Sequence, residues 1–279
     1  MNIELLGTMD VRENGVSITP TAPKPRQVLA LLALHADQVV SVASLTEELW
    51  GCVPPRSART TLQTYVLQLR ELISAALEQG QPEGGARRTA KDVLVTLPGG
   101  YLLDSADGTS DVKVFERLAG VGYRAIDAGD FQGAVRQLRK ALDLWTGPPF
   151  ADVQIGEQLQ MEAKRLDETR LCALDQRIEA DLRLGRHRDL LAELTVLVNR
   201  YPTHENLHGQ YMLALHRSGR RSEALAAYQR VRATLVRELG LEPSAELRRI
   251  QRLILMAGPE AGLDAPAPTE RERLVRSKS

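Results

Sequence analysis

Along RTTLQTYVLQLREL, Arg59 to Leu72, apolar residues return at helical spacing: Leu62, Val66, Leu69, Leu72 and then Ile73 share one face at about 100° per residue. Thr60, Thr64, Gln68 and Glu71 fall opposite, with Arg59, Gln63 and Arg70 on one flank and Thr61 on the other. An ordinary solvated helix face would be richer in Lys and Glu, which favour helix more than Thr does. The pattern therefore predicts a helix that docks by an aliphatic stripe and shows a hydroxyl and amide face, edged by Arg, to something else.

The surrounding pattern mixes short strands and helices. IELLG and DVRENGVSIT, with a turn at Glu13-Asn14-Gly15, predict a small N-terminal sheet. PRQVLALLALHADQ predicts an amphipathic helix opened by Pro25, where no amide donor is needed. Ser41 can cap a second helix, VASLTEELW, that ends at Gly51, and after Pro54-Pro55 the hydroxyl of Ser57 can cap the third, from Ala58 to about Leu77. A polar, glycine-rich loop, EQGQPEGGARRTA, then leads to DVLVTLPGGYLLD, whose apolar runs flank Pro98-Gly99-Gly100 as in a hairpin. Strands, three helices and a terminal hairpin in this order are the parts of a winged helix-turn-helix, whose third helix enters a major groove. This α+β domain is expected over residues 1–105.

From Asp111 the pattern becomes almost continuously helical. GDFQGAVRQLRKALDLW, GRHRDLLAELTVLVNRYP and GRRSEALAAYQRVRATL begin at Gly129, Gly185 and Gly219, and the last two starts lie 34 residues apart. That is the period of tetratricopeptide-like helix pairs. The first interval is 56 residues, with WTGPPFADV as a turn and a long helical segment from Glu157 to Leu184 filling it. EPSAELRRIQRLILM closes the array with Ser244 near its cap, so an all-α domain is expected over 111–257. The last residues, 258–279, are rich in Pro, Ala, Gly and charge, a composition that predicts disorder.

Composition adds exclusions. No apolar run is long enough to span a membrane, and MNIELLGTMD has neither a basic leader nor a cleavage site, so a cytoplasmic protein is expected. Cys52 and Cys172 are too few for a disulfide framework and too far apart for a metal-ligand pair, and Cys52 is expected to be a packed small side chain. The whole chain has a net charge of zero. Residues 1–105 carry nine basic against eleven acidic side chains, but Arg56, Arg59 and Arg70 bracket the Thr/Gln helix with no acid before Glu71.

One catalytic pattern occurs. His204-Glu205-Asn206-Leu207-His208 fits H-E-x-x-H, in which two His one helical turn apart bind zinc and the Glu acts on water. Tyr211 stands where the longer metalloprotease pattern wants Gly, and the segment follows Tyr201-Pro202 at a helix start, where Thr203 can cap and an early Glu suits the helix dipole. No Gly-Lys phosphate loop and no Gly-x-Gly-x-x-Gly occur. No enzyme, cofactor or metal is expected.

The Thr/Gln/Arg helix fits DNA better. Thr and Gln can bond base edges, and Arg can neutralise phosphate or grip guanine. The alternative is a solvent-facing or interdomain helix. Leu67, also facing outward, is either a thymine-methyl contact or an ordinary exposed apolar residue. Arg87, Arg88 and Lys91 before the hairpin either touch phosphates or form a solvated loop, and Tyr101 is expected to anchor the hairpin.

PRQVLALLALHADQVVSVASLTEELWG, PPRSARTTLQTYVLQLREL and LPGGYLLD together resemble the OmpR-type winged-helix domain of the Streptomyces antibiotic regulatory proteins. GDFQGAVRQLRKALDLWTGPPFADV and the run from Arg200 to Leu255 resemble their bacterial transcriptional activation domain. The resemblance implies an activator, with no phosphate loop and so of the small class, that binds tandem direct repeats of double-stranded DNA at promoters of a secondary-metabolite (antibiotic) cluster. It also implies recruitment of RNA polymerase through its sigma factor, protomers paired on DNA, and association with the nucleoid. It places base and backbone contacts at Arg56, Arg59, Thr60, Thr61, Gln63, Thr64, Gln68 and Arg70, and phosphate contacts at Arg26 and Trp50. The rival from another class is a protein-protein scaffold without DNA binding, consistent with the neutral charge and the repeat spacing.

Overall fold

The computed structural model describes residues 1–79, 88–106 and 108–257. Arg87, most of the glycine-rich loop and the tail from Gly258 lie outside the described residues. The chain forms two compact units, Met1–Arg177 and the remainder from Ile178. Packing thus divides well after the change of pattern at Asp111.

The first unit opens with β1 (Asn2–Glu4), β2 (Asp10–Glu13) and β3 (Val16–Ser17), joined antiparallel in the order β3-β2-β1. The β2–β3 turn lies at Asn14 and Gly15, both at positive φ. Only the start of IELLG is strand. β7 (Thr109–Ser110) adds in parallel to β1, while Leu5 to Met9 serve a different partner. Their backbone groups accept from the amides of Thr146, Phe150 and Ala151 at 2.9 to 3.0 Å, and Met9 donates to Asp152 Oδ1 at 2.7 Å. WTGPPFADV is therefore stitched onto the N-terminal segment.

Helix α1 (Pro23–Leu34) starts with Pro23 in its first turn, two residues before the Pro25 expected to open it. It is buried on nearly all sides, from Gln27 to Ala33, where a one-sided stripe was expected, because it lies at the centre of the unit. β4 (Val39–Ser41) leads into α2 (Val42–Trp50), capped as expected by Ser41, whose hydroxyl accepts from Ser44 N at 2.9 Å. α3 (Ala58–Gln79) follows. A short α4 (Ala90–Val93), opened by a Thr89/Asp92 capping box, takes residues expected to begin the hairpin. The hairpin proper is β5 (Leu94–Leu97) and β6 (Gly100–Leu103), turning at Pro98-Gly99, with β4 on the other side of β6. Tyr101 is buried and anchors it.

α5 (Asp111–Asp127) and α6 (Phe131–Leu142) pack as a pair, and α7 (Glu157–Arg183) begins in this unit. One apolar cluster runs from Ile3 through α1 and α3 to Phe115, Trp145, Phe150 and Leu166. Trp145 meets Phe115 edge to face at 5.4 Å, and the Arg170 guanidinium lies 4.7 Å over its ring.

Two carboxylates tie the α5–α7 segment to the winged part. Glu48 of α2, only 2% exposed, accepts from Gly156 N at 2.5 Å, Leu159 N at 2.9 Å and Gln27 Nε2 at 2.7 Å, and so caps α7 from another helix. Gly156 is needed there, since a Cβ would stand 2.0 Å from Glu48 O. Asp111 Oδ2 accepts from Leu5 N at 2.7 Å and Leu6 N at 2.8 Å; burial raises its pKa above the ordinary 3.8, against the lowering effect of these bonds.

The second unit contains α8 (His187–Arg200), α9 (Glu205–Arg217), α10 (Arg221–Leu239) and α11 (Ala245–Met256). α9 packs against the other three. Gly129, Gly185 and Gly219, the three starts of the sequence repeat, all take positive φ where a helix ends. In each case the following amide bonds back five residues, Asp130 to Ala125 O, Arg186 to Asp181 O and Arg220 to Leu215 O, at 2.8 to 3.1 Å.

Glu48→Ala should lower unfolding free energy in urea by about 3 kcal/mol, because orphaning a buried amide costs about 1–3 kcal/mol; Glu48→Gln should cost less. For Asp111 the raised folded pKa means that its contribution is full below 3.8 and is lost as pH climbs through the raised value. Asp111→Asn should remove that decline, so urea midpoints at pH 4 to 7 should show the variant gaining on the parent as pH rises.

Candidate nucleic-acid interface

α3 packs against α1, α2 and α4. Its buried stripe is Ala58, Leu62, Val66, Leu69, Ile73, Ala76 and Leu77. Leu72, expected inside, sits at the stripe's edge and is 37% exposed. Arg59, Thr60, Gln63, Thr64, Gln68 and Glu71 are exposed on the other side, with Arg56 exposed in the preceding turn and Thr61 half-buried on the flank. Leu67 is 57% exposed among them. Thr64 Oγ1 donates to Thr60 O at 3.1 Å, which holds its side chain in place on the helix.

The basic residues divide into two groups. Arg56 and Arg59 make no ion pair among the described residues. Arg70 is engaged: its Nε and Nη2 donate to Leu94 O at 3.1 and 2.7 Å, and Nη2 also donates to Thr96 Oγ1 at 2.7 Å. Arg26 is engaged too. Its Nη2 contacts the Asp152 carboxylate and Met9 O, so it holds the 145–153 loop. Trp50 is half-buried and packs against the core. Arg88 bonds Asp104 O at 2.9 Å and pairs with the Asp104 carboxylate at 3.0 Å; Lys91 remains exposed. Cys52 is exposed in the α2–α3 turn, contrary to the expected packing.

The H-E-x-x-H residues are occupied structurally. His204, and not Thr203, is the cap of α9, and its Nδ1 accepts from Leu207 N at 3.3 Å. Glu205 Oε2 accepts from Ser244 N at 2.6 Å. His208 is buried, and desolvation lowers its pKa, with the Pro202 carbonyl acting the other way. Among the described residues no group of three His, Cys, Asp or Glu side chains is placed to hold a metal ion.

Sequence patterns did not reveal Glu48 or the fork of Arg70. For Glu48 a signal existed, since it shares a helix face with Leu45 and Leu49. An acid on an apolar face implies a buried partner. The partner of Arg70, a backbone carbonyl, leaves no trace in side-chain pattern.

A strand-flanked three-helix core with a terminal hairpin and an outward polar third helix defines a winged helix-turn-helix regulator. Residues 17–82 match the model described as transcriptional regulatory protein, C terminal, and residues 110–255 match bacterial transcriptional activator domain. The chain is 53% identical over 268 residues to regulatory protein DnrI of Streptomyces peucetius, covering 96% of each. It is 36% identical over 256 residues to regulatory protein AfsR of Streptomyces coelicolor, covering 91% of this chain and 24% of AfsR. A solved structure of Mycobacterium tuberculosis EmbR in complex with a low affinity phosphopeptide matches with TM-score 0.82 and 32% identity, over 99% of this chain and 68% of EmbR. The chain belongs to the Streptomyces antibiotic regulatory protein family of transcriptional activators. Among the described residues no helix is long and apolar enough to cross a membrane.

His204→Ala should lower the stability of the second unit by about 1 kcal/mol through loss of a helix cap. Chelator dialysis should leave the thermal melt of the parent unchanged, as followed by circular dichroism.

Proposed function

We propose that this protein activates a secondary-metabolite (antibiotic) gene cluster by binding tandem direct repeats in promoter DNA, with residues 1–105 reading the duplex and 111–257 supporting protomer pairing and contact with RNA polymerase and its sigma factor. The observation that carries this is the face of α3. Thr60, Gln63, Thr64 and Gln68 stand exposed opposite a buried aliphatic stripe, and Arg56 and Arg59 are left unpaired among the described residues. Thr and Gln supply bonds and methyl contacts for base edges, with Thr61 on the flank, while Arg56 and Arg59 take phosphates or guanine. The near-neutral first domain limits the electrostatic attraction of one protomer, so occupancy of successive repeats adds affinity through effective concentration. The protein works in the cytoplasm, on the nucleoid.

Footprinting upstream of neighbouring biosynthetic genes tests the proposal, with protection of spaced direct repeats expected; an unprotected duplex favours the scaffold alternative. Thr64→Ala with Gln68→Ala should relax sequence preference. Arg59→Ala should weaken binding to all sequences and reduce the slope of log affinity against log salt by about 0.9, the value for one phosphate on B-DNA. Mobility shifts at several salt concentrations measure both.

A further inference from the structure

Taking the DNA-binding proposal as given, we propose that Arg70 is a positioning residue that locks the β5–β6 wing to the reading helix and does not itself touch the duplex. In the strand order β4-β6-β5, β5 is an edge, and an edge strand presents backbone carbonyls that pair with no neighbouring strand. Arg70 closes that edge. Its Nε–H and one Nη2–H converge on Leu94 O at 3.1 and 2.7 Å, and the other Nη2–H reaches Thr96 Oγ1 at 2.7 Å, two residues further along β5. Three of the five donors of the guanidinium are thereby spent on the wing.

The position of Arg70 on α3 gives this fork its significance. Arg59, Gln63 and Arg70 lie on one flank of the helix, so the wing is held against the same side that carries the proposed reading residues. Helix and wing then meet DNA as one rigid head. Without the fork, the wing must be ordered at the moment of binding, and that lost freedom is subtracted from affinity. Lys keeps the charge but presents a compact ammonium in place of a planar fork, so Arg70→Lys separates charge from geometry.

A probe duplex is obtained by selection from a random pool with the parent chain; failure to enrich any sequence rejects DNA binding itself, a result distinct from those that follow. On the enriched duplex, Arg70→Lys and Thr96→Val should each weaken binding about 5- to 30-fold while leaving the salt slope equal to that of the parent. The double variant should be weaker than either by much less than the product of the two effects, because both break one linkage. Arg59→Ala, in parallel, should lower the slope. Urea midpoints of the single variants confirm that each is folded at the assay temperature. The proposal is overturned if Arg70→Lys and Thr96→Val bind as tightly as the parent. It is also overturned if Arg70→Ala reduces the slope by about 0.9, as a direct phosphate contact would, or if the two changes multiply.

Discussion

The N-terminus of a helix carries amides with no partner in its own turn, and burying them without acceptors is costly. α7 begins within the first unit, and the acceptor for two of the amides at its start, those of Gly156 and the buried Leu159, is the Glu48 carboxylate. The same side chain takes Gln27 Nε2 of α1, so one acid joins α1, α2 and α7. Charge-assisted bonds of this kind are stronger than neutral ones and hold direction as well as distance. With Asp111 bonded to the Leu5 and Leu6 amides, and Asp152 held by Met9 N and Arg26, the segment 111–177 becomes part of the winged unit's own core. The platform on which α3 rests is therefore larger than a winged helix by itself.

That platform fixes which side of α3 faces out. Leu62, Val66, Leu69 and Ile73 enter the core, and helical geometry then forces Thr60, Thr64 and Gln68 to the surface. Arg56 and Arg59 gain their distinct status from the same arrangement: among the described residues they form no ion pair, whereas Arg26, Arg70 and Arg88 have all been drawn into structural bonds. A count of cations in the sequence would treat these five alike; their surroundings separate them.

Features set by neighbours in sequence were legible in advance. Ser41 and Ser244 cap the helices expected of them, the glycines at 129, 185 and 219 end helices by the same backbone bond, and Pro98-Gly99 turns the hairpin. The exposed row of α3 was legible for the same reason, since 3.6-residue periodicity is local. Features set by distant partners were not. Glu48 finds Gly156 at a separation of 108 residues and Arg26 finds Asp152 at 126. Nothing in either neighbourhood encodes the other. The central position of α1 misled in the same way, because burial on all sides depends on elements that arrive much later in the chain. His204 displaced Thr203 as cap through an imidazole nitrogen, a role that preference tables assign to hydroxyls and carboxylates.

Because Arg59, Thr60, Gln63, Thr64 and Gln68 lean on nothing in the interior, substitutions among them fall in the class that shifts stability by no more than about 0.5 kcal/mol. Under the proposed DNA-reading role of this face, a few surface exchanges would change the preferred duplex while leaving the scaffold intact. The chemistry displayed on this face and the maintenance of the fold are, in this molecule, separable.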